Sequence, residues 1–350
     1  MKKVLYVSNI EVPYRVKMFN ELSKFCDLTV LYERKRSTNR NAQWTESEKS
    51  AYKKEYIEGK SIGTENSFSL KAVKKVFGDY DWIIIGCFNS PVQMLMILLL
   101  RLFNKRYIIN IDGEIFAESK GIKSFLKKFF LRGADKYLTA GEKSAESLRK
   151  VVGESEIIPY YFSSLTEDEV KKNSETEEKR EDFILVVGQY EEYKGMDVAF
   201  NAARMNPSVR YKFIGMGSKT DLFKQKYCPD GLSNIEFIPF LQKADLEREY
   251  QKCAAFVLPS RQECWGLVIN EAASFGTPIV STWGSGAAVE FLADSYPKFL
   301  AAPDNQDSLY NCIADLLKNK NEEYSQYLLK KSREYTIEKC VSAHLKAIDT

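Results

Sequence analysis

Short apolar runs recur through the first half of this 350-residue chain, as VLYVS, LTVLY, DWIIIG, YIINI, KYLTA and EIIP. Between them lie stretches such as YRVKMFNELSKF and KSAESLRKVV, whose apolar residues repeat at helical spacing. Strands that are apolar on both faces and alternate with amphipathic helices predict a parallel sheet with crossover helices, since such a sheet is covered on both sides. The second half repeats the pattern with FILVVG, YKFIGMG, IEFIPF, AAFVLP and PIVST, separated by DVAFNAARM, KADLEREYQKC and LVINEAASF. Residues 164 to 182, SLTEDEVKKNSETEEKRED, are highly charged and nearly devoid of large apolar groups, which predicts a linker. The chain is therefore expected to be α/β in two units, 1–165 and 183–325, with a charged linker over 166–182. Helical periodicity in the tail predicts a C-terminal helix over 326–350 that packs back toward the first unit.

Composition narrows the setting. A hydrophobic content of 44% over 350 residues is enough for two cores. Lys plus Arg number 51 against 48 acids, a net charge of +3 that supplies no field for nucleic acid. Seven cysteines form no CxxC pair, which fits a reduced, cytoplasmic location. Lys2 and Lys3 precede only VLYV, too short an apolar core for a signal peptide. The longest apolar stretch, VQMLMILLLRLF, is interrupted by Arg101 and falls short of the ~20 residues of a spanning helix. A different membrane contact is suggested by KGIKSFLKKFFLRGADKY, where Lys120, Lys123, Lys127, Lys128 and Arg132 are interleaved with Phe125, Phe129, Phe130 and Leu131. A helix of that kind lies on an anionic membrane surface, here the inner face, or simply packs its apolar side on its own sheet.

The stretch richest in chemistry is PSRQECWGLVINEAASFGTP, where Glu263 and Glu271 are separated by seven residues across a loop-to-helix junction. The strand AAFVLP precedes it, so the glutamates belong at the carboxyl end of a strand, the edge where open α/β sheets bind ligands. The backbone N–H groups of Cys264, Trp265, Gly266 and Leu267 open the following helix and suit an anion. Lys194 follows the strand FILVVG in a YKG turn, where Gly195 allows close backbone approach.

These residues resemble a known family, the retaining glycosyltransferases of family 4. The match runs through VVGQYEEYKGMDVAFNAA, FIGMGS and IEFIPFLQKADLEREYQKCAAFVLPSRQECWGLVINEAASFGTPIVSTWGSGAAVEFL, in order. In the first half the similarity is looser: NIEVPYRVKMFNEL looks similar to an opening found in some members that assemble polysaccharides, and IDGEIF occupies a place often held by a histidine. The resemblance implies the GT-B architecture: two facing Rossmann-like domains with a cleft between them, the first for the acceptor and the second for the nucleotide sugar. It implies transfer of a hexose, with retention, from a nucleotide diphosphate sugar to a glycan or lipid-linked acceptor in cell-surface polysaccharide assembly. Uracil is the first expectation for the base and guanine the second.

By the same resemblance, Lys194 meets the diphosphate, Glu271 the ribose hydroxyls and Glu263 the donor sugar. Gly215 lies in a donor turn, and Phe240 and Leu241 lie where the base packs. Gln189 stands where the family has an arginine, so it donates hydrogen bonds without a second positive charge. Asp112 takes the place of a histidine beside the reacting sugar and, with Glu114 behind it, is the candidate for side-chain assistance in the first domain. Tyr14 and Arg15, at the first strand-to-helix connection, are candidates for the acceptor side. No cofactor and no obligatory metal is expected, and the D-x-D at Asp79, Tyr80 and Asp81 reads as a turn. His344, the lone histidine, reads as a surface or packing residue. Three rival readings stand beside this one. A glycoside hydrolase would use the paired glutamates as acid and nucleophile. A nucleotide-sugar epimerase would need acid and base groups around the sugar. A catalytically silent nucleotide-sugar binding protein would fit Gln189 and the missing histidine.

Overall fold

The computed structural model describes residues 1–35, 49–57, 59–62, 66–86, 88, 90–113, 122–175, 179–228, 231–319 and 322–349; Glu114 and Lys120 lie outside them. The chain forms two compact units, Met1–Ser164 together with Ile337–Thr350, and Leu165–Thr336.

Among the described residues, the first unit is built on seven parallel strands. These are β1 (Lys3–Ile10), β2 (Asp27–Arg34), β3 (Lys53–Tyr56), β6 (Trp82–Ile85), β7 (Tyr107–Ile111), β8 (Lys136–Ala140) and β9 (Glu156–Tyr160), in the order β3-β2-β1-β6-β7-β8-β9. A hairpin, β4 (Lys60–Ile62) with β5 (Asn66–Phe68), stands apart. The helices are α1 (Pro13–Leu22), α2 (Leu70–Val73), α3 (Pro91–Leu102), α4 (Ile122–Leu131) and α5 (Glu142–Val152). The central strands β6, β7 and β8 are buried along their whole length, which is why their sequences are apolar rather than alternating. β3, KKEY, is half-exposed and lysine-rich because it forms the sheet edge, where charge discourages further pairing.

The second unit has six parallel strands, β10 (Glu181–Val187), β11 (Arg210–Ile214), β12 (Ile235–Ile238), β13 (Cys253–Val257), β14 (Ile279–Thr282) and β15 (Leu300–Ala301), ordered β12-β11-β10-β13-β14-β15. Its helices are α6 (Glu167–Ser174), α7 (Met196–Arg204), α8 (Thr220–Tyr227), α9 (Lys243–Lys252), α10 (Leu267–Ser274), α11 (Gly286–Leu292), α12 (Gln306–Lys318) and α13 (Glu322–Glu334). The expected linker over 166–182 is corrected by α6 and by the start of β10 at Glu181. Thr166 accepts a hydrogen bond from the Glu169 backbone while the Glu169 carboxylate accepts from the Thr166 backbone, a capping box that starts α6. Val170 is buried and Asn173 donates to Ser274 Oγ at 2.9 Å, so two inward residues are enough to seat a helix whose other positions are charged or polar.

The tail is also corrected, because it contains two helices, α13 and then α14 (Ile337–Asp349). The break falls at Tyr335, whose ring packs on Phe291 with centroids 4.7 Å apart and whose hydroxyl donates to Glu290 at 2.7 Å. α13 stays with the second unit, and α14 belongs to the first. Trp82 Nε1 donates to the Ile348 carbonyl at 2.8 Å and Lys136 Nζ to that of Ala347 at 3.1 Å, satisfying the orphan carbonyls at the end of α14.

His344 lies on the buried side of α14 with no exposed surface. Its Nδ1–H donates to the Cys340 carbonyl at 2.8 Å, and its ring centroid is 5.0 Å from that of Tyr160. Burial pushes its pKa down to about 4 from an ordinary 6.5. The unfolded chain therefore takes up a proton below pH 6.5 that the folded chain refuses until about pH 4. This contribution to stability is complete above pH 6.5, is lost as pH falls toward 4, and amounts to on the order of 3 kcal/mol at most. Melting curves taken across that window are expected to fall less steeply for His344→Leu than for the wild type. An identical slope in the two proteins would contradict the assignment.

Candidate active site

In the second unit, the residues that the sequence reading assigned to the donor gather at one edge of the sheet. Gln189 and Lys194 follow β10, Gly215 follows β11, Phe240 and Leu241 follow β12, and Glu263 through Leu267 follow β13. All these strands are parallel, so this is the carboxyl edge. β10 pairs with β11 on one side and with β13 on the other, which places the reversal of strand order, and its crevice, at β10 and β13. Lys194 and Glu263 come from the connections after those two strands and meet there in an ion pair, with side chains only 20% and 16% exposed.

Two glycines force the loops together. Gly195 is buried with φ 65°, ending the short turn Glu192–Lys194 and beginning α7. A Cβ there would stand 3.0 Å from the Pro259 carbonyl carbon and closer still to its oxygen, so only glycine lets the two loops touch. On the far side, a Cβ at Gly284 would stand 2.8 Å from the Arg261 carbonyl carbon and closer to the oxygen. The backbone of Glu263 then continues the sheet: its N–H donates to the Gly284 carbonyl at 2.8 Å and its carbonyl accepts from Gly286 N–H at 3.1 Å. Gly188 and Gly215 add bare backbone at the ends of β10 and β11, since a Cβ on Gly215 would lie 3.4 Å from the Gly188 oxygen.

Arg261 is a residue the sequence reading missed. Its guanidinium grips Asp197 in a fork, Nη1 to Oδ1 at 2.9 Å and Nη2 to Oδ2 at 2.8 Å. Nη1 also donates to the Glu192 carbonyl at 2.6 Å and Nε to Asp304 at 2.7 Å, while the Arg261 backbone N–H donates to the Tyr193 carbonyl at 2.8 Å. Burial pushes the Asp197 carboxyl up, but the hydrogen bonds and charge of Arg261 outweigh it and hold the group below the usual carboxylate range. The signal was present in KGMD and PSR, yet neither segment reveals that it meets the other.

Glu271 sits in the second turn of α10, half-buried, and accepts a hydrogen bond from Tyr250 at 3.3 Å. The neighbours Ile269, Asn270, Ala272 and Ala273 are buried and anchor the helix. Trp265, expected among the backbone donors, has a buried side chain whose Nε1 donates to Asn270 Oδ1 at 2.9 Å, so its ring is a structural peg under the loop. Cys264 is exposed, and Gly266 takes φ 98° before α10.

In the first unit, Arg15 and Asp112 are brought together. Arg15 lies in the first turn of α1, 5% exposed, and pairs with Asp112 just beyond β7. Asp112 Oδ1 also accepts from Asn110 at 2.8 Å and from the Tyr160 hydroxyl at 2.7 Å. Burial raises its pKa, but the charge of Arg15 and these hydrogen bonds prevail, so the carboxyl lies below its usual range and is a weak base. Its side chain is still 35% exposed. Tyr14 is half-buried, its ring 5.6 Å from that of Phe162. Among the described residues, no cluster of His, Cys, Asp or Glu could hold a metal, and no helix is long and apolar enough to cross a membrane.

Residues 167–335 match the family model described as glycosyl transferases group 1. O-antigen chain mannosyltransferase C of Escherichia coli is 26% identical over 268 residues, covering 72% of this chain and 70% of that protein. An uncharacterized glycosyltransferase of Haemophilus influenzae is 30% identical over 166 residues, with 45% of this chain covered and less than half, 46%, of its own length. Among solved structures, Anabaena HepE in complex with UDP superposes with a TM-score of 0.70 at 13% identity, covering 99% of each chain. Sucrose-phosphate synthase from Thermosynechococcus elongatus does so with a TM-score of 0.68 at 16% identity over 99% of this chain and 96% of that one. The second unit thus matches the model of the group 1 glycosyl transferases over nearly its whole length, and the chain has the GT-B fold of two Rossmann-like units.

Proposed function

We propose that this chain is a glycosyltransferase that moves a hexose from a nucleoside diphosphate sugar to a glycan or lipid-linked acceptor in cell-surface polysaccharide assembly, with retention at the anomeric carbon. The observation that carries the reading is the Lys194–Glu263 pair at the strand-order reversal of the second unit. Transfer builds negative charge on the leaving diphosphate and positive charge on the sugar, and a site with one cation and one carboxylate side by side serves both. In the ligand-free chain the two charges satisfy each other. On binding, Lys194 turns to the diphosphate and Glu263 to the sugar hydroxyls, so neither is left buried without a partner.

In this reading the backbone N–H groups from Cys264 to Leu267 assist Lys194, Glu271 accepts from the ribose, and Phe240 and Leu241 flank the base. Lys194 and amides meet the diphosphate without an obligatory metal. Gln189 and Gly215 line the same edge. Asp112, kept ionised by Arg15, is suited to accept a hydroxyl hydrogen bond rather than to remove a proton, and the departing phosphate takes the acceptor's proton. The mannosyltransferase named above supports a hexose and a polysaccharide, and the UDP and UDP-glucose complexes of HepE support uridine. Thermal shift against UDP, GDP and their hexose conjugates tests the reading, since selective binding raises the melting point. A rise with UDP and UDP-hexose supports it, and no rise with any diphosphate overturns it. Gln189 in the arginine's place favours one second reading, a silent donor-binding subunit, which binds but releases no free sugar over long incubation.

A further inference from the structure

Among the described residues, large apolar side chains are not scattered evenly over the surface. Of the 16 that are prominently exposed, eight fall between residues 70 and 129 of the first unit. Single exposed hydrophobics are ordinary on a soluble protein, but a continuous cluster marks a contact surface. Continuity is shown by the contacts beneath it. Phe77, at the end of the short turn after α2, meets Phe103 edge-to-face at 4.9 Å. Arg101 near the end of α3 donates to the Phe129 and Phe130 carbonyls, each at 2.8 Å, and to that of Arg132, tying α3 to the end of α4. From this frame Leu102 projects 75% exposed, Phe103 55%, Phe125 69%, and Leu126 and Phe129 45% each. Phe130 and Leu131 turn inward and are buried, which accounts for the apolar side of α4 that its own sheet needs.

Charge on this face is positive. Lys74, Lys105, Lys128 and Arg132 are exposed beside the apolar groups. Of the acids nearest in sequence to Phe77, Asp79 is paired with Lys3 Nζ at 2.6 Å, and Asp81, which accepts from the Lys3 backbone N–H at 2.8 Å, keeps its charge, one against these four cations. The whole chain carries only +3, so the concentration of cations is local. Exposed Phe and Leu inserted at headgroup depth, with lysines at the rim, is the chemistry that holds a protein on an anionic bilayer.

We propose that the face formed by the turn after α2, the end of α3 and the outer side of α4 docks on an anionic lipid bilayer. The Phe and Leu side chains enter the interface and the Lys and Arg side chains pair with anionic headgroups, and α3, anchored through Arg101, holds the patch rigid. The surface is independent of the donor site in the second unit.

Co-sedimentation of the full chain with vesicles tests this, comparing phosphatidylcholine alone with phosphatidylcholine containing one third phosphatidylglycerol. The wild type is expected to pellet with the anionic vesicles only and to be released at high salt. Lys105→Ala with Lys128→Ala lowers the partition coefficient roughly fivefold per charge removed. Phe103→Ser with Phe125→Ser and Phe129→Ser abolishes pelleting while the far-ultraviolet circular dichroism and the hydrogen-exchange protection of β6, β7 and β8 are unchanged, which shows that the first unit is still folded. Wild-type protein that stays in the supernatant with both vesicles, or pellets equally with both, overturns the proposal. So does full binding by either variant. Because the readout is lipid binding, its failure leaves donor recognition untouched, and loss of the UDP response in the wild type would count against the donor site alone.

Discussion

Lys194→Met is expected to lower turnover of the nucleotide sugar by about two to three orders of magnitude, the usual effect of removing one preorganised group that meets developing charge. The effect has two parts. The diphosphate loses its cation, and Glu263, paired with Lys194 in the ligand-free chain, is left as a bare carboxylate facing an anion. The companion variant Glu263→Gln separates them. It frees Lys194, so UDP alone binds at least as tightly as to the wild type, while sugar transfer is still lost because the sugar's carboxylate is gone. Steady-state transfer or donor hydrolysis, with calorimetric titration of UDP, reads both quantities. Turnover by Lys194→Met equal to wild type would contradict the role given to this residue.

Gly195→Ala is expected to be nearly as damaging, although it touches no charged group. Its backbone is left-handed at φ 65°, which costs a side chain about 1–2 kcal/mol. The added methyl also collides with the Pro259 carbonyl, so the loop carrying Arg261 and Glu263 must move away from Lys194. A displacement near 1 Å in a catalytic site costs on the order of 100-fold in rate. Gly217→Ala provides the control. Its φ is also left-handed at 56°, but nothing lies within 4 Å of its Cβ position, so it pays the backbone cost without moving the loops. Both variants are thus expected to melt at lower temperature than the wild type, and only Gly195→Ala to lose transfer.

How much of this was legible beforehand differs by residue. The central strands could be read because burial on both faces leaves short unbroken apolar runs such as WIII, whereas the longer run that forms α3 shows that only length separates them from a buried helix. Glu263, Glu271 and Lys194 could be placed at the carboxyl edge because each follows such a run after a short interval. Composition misled over 166–182, where acidic and basic residues concealed α6. The capping box from Thr166 to Glu169 was a local signal for that helix, and it outweighed the charge because Val170 and Asn173 alone suffice to seat it. The Arg261–Asp197 fork and the burial of His344 were not legible, since each depends on segments far apart in the chain. The ionisation of Asp112 likewise depends on Arg15, 97 residues away.

Hydrogen exchange with and without UDP addresses the central claim most directly, because it locates the nucleotide without altering any residue. Slowed exchange is predicted in the connections after β10, β11 and β13, with the largest change between Tyr193 and Met196 and between Ser260 and Leu267. Protection confined to the first unit, or absent from both of those segments at saturating UDP, would contradict a donor site built on Lys194 and Glu263.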